Sequence, residues 1–245
     1  MEAPDLETSG DGYAARFSGD VGRYFLDIQE RSVVDLLKKV PGRTVLDVGG
    51  AHGQIAIPLR GEGYEVTVYG SSTACHQNLE RRSGRDAAFR YVVGDLLKLP
   101  FRDRSFDTVV SFRLLPHVAR WPALVAELSR VARHGVMVDF PTIWSVNVFT
   151  PLLFRLKKRI ERNTRPYTLF TTGSIRETFG RSGFRVLGAK GQFLLPMALH
   201  RWTGLNRVLV AAETGASESG ITDRIGSPII LLAVREGIHS PGDER

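Results

Sequence analysis

The stretch TVLDVGGAHG, residues 44–53, decides the fold, because an apolar run ends in an acidic residue and then passes into a loop of small residues. Val45, Leu46 and Val48 have the β-branched and aliphatic character of a buried parallel strand. The glycines that follow let the backbone turn sharply and approach a ligand closely. Residues 54–60 are able to open a helix, so unpaired backbone N–H groups and the positive end of the helix dipole meet at this turn. We therefore expect a strand that leads into the binding site of a nucleoside-type cofactor.

The rest of the chain extends this unit into a regular alternation of strands and helices. Further strands are predicted at 64–69, 88–93, 106–112, 135–140, 184–189 and 228–235, and further helices at 14–40, 73–82, 121–132, 174–182 and 205–213, with a polar loop at 214–220. This order is typical of an α/β fold with a doubly wound, mainly parallel seven-stranded sheet and helices on both faces. Ligands in such sheets bind outside the carboxyl ends of the strands.

Length and composition indicate one globular domain. The 245 residues include 42% hydrophobic and 24% charged residues, with a net charge of +7 and a single cysteine, Cys75. One cysteine excludes an intramolecular disulfide, and no metal site is expected. We find neither an apolar run of about 18 residues nor a signal peptide, so the cytoplasm is the expected location. A basic charge alone does not predict a nucleic acid partner, and none is expected.

Four motifs, in the right order and at the right separations, resemble the class I S-adenosylmethionine-dependent methyltransferases. The resemblance is strongest to the small-molecule branch that includes ubiquinone and menaquinone biosynthesis enzymes. Residues 45–53 resemble the family's Asp-x-Gly-x-Gly-x-Gly loop, with Ala51 in place of the middle glycine. Residues 94–101 resemble its Gly-Asp-x-x-x-Leu-Pro-Phe sequence, residues 105–118 its fourth strand and following loop, and residues 130–140 its fifth strand. Four such elements are a far more specific signal than one glycine loop.

The resemblance implies S-adenosylmethionine as the cofactor and a particular set of contacts. The glycine loop would pack against the methionine and ribose parts, and Asp95 would hold the adenine amino group, which a carboxylate is suited to accept from. The implied cofactor-binding residues are Asp47, Gly49, Gly50, Ala51, Gly53, Gly70, Ser71, Gly94, Asp95, Leu96, Ser111 and Phe112. A nicotinamide dinucleotide site is the weaker interpretation, because it needs Gly-x-Gly-x-x-Gly and an acid after the second strand.

The chain departs from the family at the end of the second predicted strand. The family usually carries an acid there that bonds both ribose hydroxyls, whereas this chain has Gly70 followed by Ser71. Loss of a charge-assisted pair weakens binding by about 1–3 kcal/mol, unless a serine or a water replaces it. We expect an active enzyme with a modified ribose contact, and the alternative is a catalytically silent fold that binds a partner.

Methyl transfer mainly requires alignment of the acceptor with the methyl group and exclusion of water. For an oxygen or carbon acceptor a general base helps, and His117, just after the fourth strand, and Asp139, at the end of the fifth, are the candidates. Arg113, His117, Trp144 and Phe149 are the predicted substrate contacts. The expected acceptor is a small apolar or aromatic molecule, whereas methylation of RNA or protein is disfavoured, because no Asn-Pro-Pro-Tyr-like motif follows the fourth strand.

Residues 144–165 combine an apolar helical stripe with a basic cluster. This pattern favours a lid over an apolar pocket, and a peripheral contact with an anionic membrane is the alternative. The expected division is a helical lid at 1–42, a cofactor-binding core at 43–140, a substrate-pocket insertion with the sixth strand at 141–204, a last helix and closing strand at 205–236, and a flexible tail at 237–245. The pattern does not predict an oligomeric state.

Overall fold

A computed structural model describes residues 2–8, 15–50, 52–83, 89–143 and 168–237. The strands are β1 Thr44–Val48, β2 Glu65–Gly70, β3 Arg90–Val93, β4 Phe106–Ser111, β5 Ala132–Phe140, β6 Phe184–Gly191 and β7 Ile229–Arg235. The helices are α1 Pro4–Thr8, α2 Gly19–Leu37, α3 Ala56–Gly61, α4 Thr73–Ser83, α5 Trp121–Val131, α6 Thr172–Arg181, α7 Met197–Thr203, α8 Arg207–Glu218 and α9 Ile221–Ile225. Short 3-10 helices cover Ala15–Phe17 and Leu115–His117.

The seven strands form one sheet in the order β3-β2-β1-β4-β5-β7-β6. β1 pairs in parallel with β2 on one side and with β4 on the other, so the chain reverses its direction of winding at β1. β7 runs antiparallel to both of its neighbours, β5 and β6. The predicted mainly parallel, doubly wound sheet is confirmed. Its topological switch point lies beside the turn after β1, where ligands bind in this architecture.

Alternation along each strand sends side chains to two separate cores. In β1, Leu46 and Val48 pack in a core with α5 and α6, whereas Val45 packs in a second core with α2, α3 and α4. Helices therefore cover both faces of the sheet. Asp47 shares the face of Val45, so its carboxylate lies on the side of the sheet that α2 covers.

Three details of the secondary structure differ from the sequence-based expectations. The predicted polar loop at 214–220 was wrong for its first part, because α8 continues to Glu218. Glu213 and Ala216 lie buried on one face of that helix, and the Thr214 hydroxyl donates to the Val210 carbonyl at 3.0 Å, so these small polar residues fit a helix. Helices α1, α7 and α9 were not predicted. β5 begins at Ala132, directly after α5, rather than at 135.

Asp107, at the start of β4, ties that strand to the beginning of β1. Its carboxylate accepts hydrogen bonds from the backbone N–H groups of Arg43 and Thr44 at 3.0 and 3.1 Å, and from the Thr44 hydroxyl at 2.8 Å. Arg133 pairs with its other oxygen at 3.0 Å. Burial alone raises the pKa of Asp107, but these donors outweigh burial and hold the pKa below its usual value.

We expect Asp107→Asn to lower the free energy of unfolding by about 2 kcal/mol at pH 7, since it removes hydrogen bonds to a charged group. Urea denaturation measures the change. Because the folded pKa is lowered, the stabilisation is complete above the unfolded pKa near 4 and is lost as the pH falls below it. Exposed Asp103, which pairs with Arg130 at 2.8 Å, provides the control, and Asp103→Asn should change stability by less than about 1 kcal/mol. Equal losses in the two variants at pH 7 would contradict the assignment.

Candidate functional site

A cleft opens at the carboxyl ends of β1 and β4. It is lined by Gln29, Asp47, Gly49, Gly50, His52, Gln54, Ile55, Phe112 and Arg113. The cleft therefore lies where the stretch at 44–53 predicted a binding site, beside the switch point of the sheet.

The turn after β1 has room only for small residues. Gly49 adopts a φ of 82°, in the left-handed region, while its N–H donates to the Tyr69 carbonyl at 2.8 Å. At Gly50 a Cβ atom would lie 2.1 Å from Asp47 Oδ2, which is well inside van der Waals contact. The absence of a side chain at Gly50 thus keeps the Asp47 carboxylate in place under the turn.

Asp47 is a buried acid whose charge is not fully compensated. Burial raises its pKa to about 7, against the lowering effects of Arg113 and of a hydrogen bond from the Ala56 backbone. Its Oδ2 atom is buried and has no hydrogen-bond partner among the described residues. A buried acceptor without a partner is costly, so this oxygen is poised to accept from a ligand.

Two amide side chains place unpartnered donors around the same cleft. The Nε2 atoms of Gln29 and Gln54 are buried and lack a hydrogen-bond partner among the described residues. Sequence reasoning missed both residues. A usable signal existed for Gln29, because it follows Phe25 by four residues and precedes Val33 by four, on the buried stripe of α2. A polar residue on an apolar stripe marks a possible ligand contact.

Arg113 lies between two buried acids and is held in an uncommon conformation. Its φ is 58°, and its N–H donates to Asp139 Oδ1 at 2.5 Å. Its guanidinium group donates to the side-chain carbonyl of Gln29 and lies 4.1 Å from the centre of the Phe17 ring. Burial raises the pKa of Asp139 to about 6, although Arg113 opposes the shift. Asp139 thus fixes the backbone of Arg113, and Arg113 is one of the residues that line the cleft.

The other predicted cofactor residues follow the ends of neighbouring strands. Gly94 follows β3, where its N–H donates to the Gly70 carbonyl at 3.1 Å. Asp95 accepts from the Leu97 N–H at 2.9 Å, and the Ser111 hydroxyl donates to the Val48 carbonyl at 3.0 Å. Leu96 is fully buried in the core with α5 and α6. Gly53, with a φ of 63°, closes the first turn by donating to the Gly50 carbonyl at 2.9 Å, while Ser71 is bonded to Asp5.

The predicted substrate residues are only partly described. His117 ends a 3-10 helix after β4 and is half-buried, but it is not among the residues that line the cleft. Ala51, Trp144 and Phe149 lie outside the described residues, as does the basic segment 144–165. The roles of these residues, the membrane contact and the division of the chain into a lid, a core and an insertion stay predictions.

The polar groups of the residues that line the cleft suit a zwitterionic amino-acid group attached to a nucleoside. Asp47 Oδ2 is an acceptor suited to an ammonium group, whereas the Gln29 and Gln54 amides and the Arg113 guanidinium are donors suited to a carboxylate. The loop and helix start beside them suit the polar part of a nucleoside. The fold is thus a doubly wound domain with a polar cleft beside its switch point, and the residue types in that cleft suit such a group.

Comparison with known proteins shows what part of this domain is similar to. Residues 46–138 match the family described as "Methyltransferase domain". A 24-methylenesterol C-methyltransferase 2 of Arabidopsis thaliana is 27% identical over 212 residues, which cover 82% of this chain and 58% of the relative. A demethylmenaquinone methyltransferase of Beutenbergia cavernae is 36% identical over 115 residues, which cover 46% of this chain and 47% of the relative. Residues 46–138 are therefore similar to methyltransferase domains.

A solved structure supports the fold over nearly the whole chain. The magnesium protoporphyrin IX methyltransferase of Synechocystis PCC 6803 with bound SAH has a TM-score of 0.62 at 19% identity, and the match covers 95% of this chain and 93% of that one. The chain spans only 58% and 60% of the length of the two sterol methyltransferases that it matches over most of its own length. Within the described ranges, no helix has the length and apolar character needed to cross a bilayer.

Proposed function

We propose that this chain is an S-adenosylmethionine-dependent methyltransferase that methylates a small apolar or aromatic acceptor at carbon or oxygen. One observation carries the proposal: the buried, unpartnered Asp47 oxygen and the Gln29 and Gln54 nitrogens belong to residues that line one cleft at the glycine turn. A protein that had lost its ligand would gain stability by replacing such groups with apolar ones, because buried polar atoms without partners are costly.

Each part of the cofactor has a counterpart in the chain. Asp47 holds the ammonium group, and Gln29, Gln54 and Arg113 hold the carboxylate. Asp95, at the end of β3, is proposed for the adenine amino group. The bound cofactor supplies an electrophilic methyl group on a sulfonium. The protein then has to align the acceptor and exclude water, with no nucleophile of its own.

The names of the relatives favour an apolar acceptor. The sterol methyltransferases of plants and the bacterial demethylmenaquinone methyltransferases are named for apolar molecules, and the first are named as C-methyltransferases. A malonyl-[acyl-carrier protein] O-methyltransferase of Serratia marcescens, 29% identical over 136 residues, keeps oxygen as a candidate atom. Ile55 and Phe112 give the cleft an apolar part that suits such an acceptor.

A general base for the acceptor is proposed among the two sequence-predicted candidates. The pKa of Asp139, raised to about 6 by burial, suits proton transfer near neutral pH, but its hydrogen bond to the Arg113 N–H favours a positioning role. His117 is then the better candidate for a base, since it follows β4 and is only half-buried.

The proposal is tested by calorimetry followed by transfer of a labelled methyl group. We expect S-adenosylmethionine and S-adenosylhomocysteine to bind with micromolar dissociation constants. The protein is then incubated with methyl-labelled S-adenosylmethionine and a panel of sterols, hydroxylated quinones and phenols, and label should enter an organic-soluble product. Absence of binding at millimolar ligand would refute the proposal. Binding without transfer to any acceptor, together with binding of a protein partner, would favour the catalytically silent alternative.

A further inference from the structure

The end of β2 is where a doubly wound nucleotide-binding sheet normally places the acid that holds a ribose, about 20 residues after the first glycine of the loop. In this chain that place is Gly70. It lies between the two other ligand-binding turns, because its carbonyl accepts from the Gly94 N–H at 3.1 Å and the preceding Tyr69 carbonyl accepts from the Gly49 N–H at 2.8 Å. The chain therefore has the backbone position of a ribose-binding acid, but the glycine there provides no carboxylate.

The space beside Gly70 is already filled by two other side chains. A Cβ atom built on Gly70 would lie 2.1 Å from the Tyr91 hydroxyl and 3.3 Å from Asp5 Oδ2. The Tyr91 hydroxyl donates to the Ser72 carbonyl at 3.3 Å, which holds it over the strand end. An acid at position 70 would collide with Tyr91, so the glycine and the tyrosine fit together. The carboxylate at this site comes instead from Asp5.

Asp5 is delivered to the strand end by α1, a separate segment near the start of the chain. It is fully buried, and its carboxylate accepts from the Ser71 N–H at 2.7 Å and from the Ser71 hydroxyl. The thiol of Cys75, in α4, lies 3.8 Å from Oδ2. Burying a carboxylate is costly unless donors surround it, and here these donors come from the turn that a ribose would face.

We propose that Asp5 is the ribose-binding carboxylate of this protein and replaces the acid that is missing at Gly70. The inference rests on the proposed function, because it assigns a contact to its cofactor. A carboxylate has about four acceptor positions on its two oxygens. Asp5 has no exposed surface in the structure, so a ribose hydroxyl would reach it by displacing the Ser71 hydroxyl. The Ser71 N–H, being part of the backbone, keeps the carboxylate in place.

The test measures recognition of the ribose diol rather than activity. S-adenosylhomocysteine and its 2′,3′-dideoxy analogue are titrated into the wild-type chain and into Asp5→Ala and Asp5→Asn by calorimetry. We expect the wild type to bind the natural ligand at least about tenfold more tightly than the analogue. In both variants the affinity for the natural ligand should fall to that for the analogue, so that the ratio of the two dissociation constants falls to below about 2. Glu2→Gln is the control, because Glu2 precedes the same helix and pairs with exposed Arg120 at 3.0 Å, and it should keep the wild-type ratio.

A purely structural role for Asp5 gives a different result. If Asp5 only anchors α1, the variants bind both ligands more weakly by the same factor, and the ratio of the two dissociation constants stays at the wild-type value. That result would overturn the proposal. The triple variant Asp5→Ala, Gly70→Asp, Tyr91→Phe returns an acid to β2 and removes the hydroxyl that blocks it, so it should restore the ratio. A wild type that binds both ligands equally would also overturn the inference while leaving the proposed function intact, whereas a wild type that binds neither would defeat both.

Discussion

Gly50→Ala is expected to weaken the binding of S-adenosylmethionine by about 100-fold, equivalent to roughly 2.7 kcal/mol. The added methyl group would stand 2.1 Å from Asp47 Oδ2 and 2.3 Å from its Cγ atom. Asp47 is fixed in the middle of β1, between its partners Val68 and Val110, so the strand cannot withdraw. The carboxylate must rotate away from the cleft, and the ligand then loses its acceptor for the ammonium group.

Calorimetry with S-adenosylhomocysteine measures this effect, and a thermal melt monitors folding. Gly61→Ala is the matched control, because Gly61 ends α3 and a Cβ atom there meets nothing within 4 Å. The control should bind as the wild type does. If Gly50→Ala binds within threefold of the wild type while remaining folded, Asp47 does not contact the ligand and the assignment of the cleft is wrong.

The second large effect is a pH dependence of binding that Asp47 controls. Because burial raises its pKa to about 7, Asp47 is mostly protonated at pH 5 and cannot accept from an ammonium group with full charge. Binding of the ligand favours the ionised form, so affinity should rise by up to about tenfold per pH unit between pH 5 and 7 and then level off. Asp47→Asn should lose about 30-fold in affinity at pH 8, which corresponds to removing a charge-assisted hydrogen bond of roughly 2 kcal/mol.

The slope distinguishes Asp47 from the other titratable groups near it. Asp139, whose pKa is raised to about 6, and His52 also lie close to the cleft or to Arg113, which borders it. In Asp47→Asn the pH dependence should flatten, whereas Asp139→Asn should retain the rise up to pH 7. If the affinity of Asp47→Asn still rises with pH between 5 and 7, the pH dependence belongs to Asp139 or His52, and the role of Asp47 is refuted.

The same ionisation acts in the opposite direction on the ligand-free protein. With folded pKa values raised above the unfolded value near 4, the native state binds more protons than the unfolded chain between about pH 4 and 7. The contribution of Asp47 and Asp139 to the free energy of unfolding is therefore full below about pH 4 and is lost as the pH rises toward 7. Ligand binding offsets this loss, because it supplies the cation that the ionised Asp47 lacks.

The fold was predictable from the sequence because its signals are local. The apolar run of residues 44–48, the small residues after it and the repeated alternation of strand and helix patterns each depend on neighbours in the chain. The end of α8 was mispredicted for the opposite reason. Residues 214–218 are small and polar, and only the burial of Glu213 and Ala216 against the rest of the molecule favours a helix there.

The site was predictable only where a sequence motif carries it. The turn at Gly49 and Gly50 and the acid at Asp47 come from a single stretch and line the cleft as expected. Gln29 and Asp5 come from segments that reach the sheet through the tertiary fold. No spacing in the sequence relates residue 5 to residue 71, because 66 positions separate them. The absence of an acid at Gly70 was visible in the sequence, but the presence of the Asp5 carboxylate beside it was not.

The close fit of Tyr91 against Gly70 makes two ways of building this site mutually exclusive. A related protein with an acid at position 70 needs a residue without a hydroxyl at position 91, because the Tyr91 hydroxyl would lie 2.1 Å from the Cβ atom of the acid. With both side chains present, the end of β2 would be distorted. An acid at position 70 is therefore not tolerated while Tyr91 is present, so the two positions are coupled. As long as Gly70 and Tyr91 are both kept, removing or exchanging the segment that carries Asp5 would alter the pocket that Asp5 helps to complete.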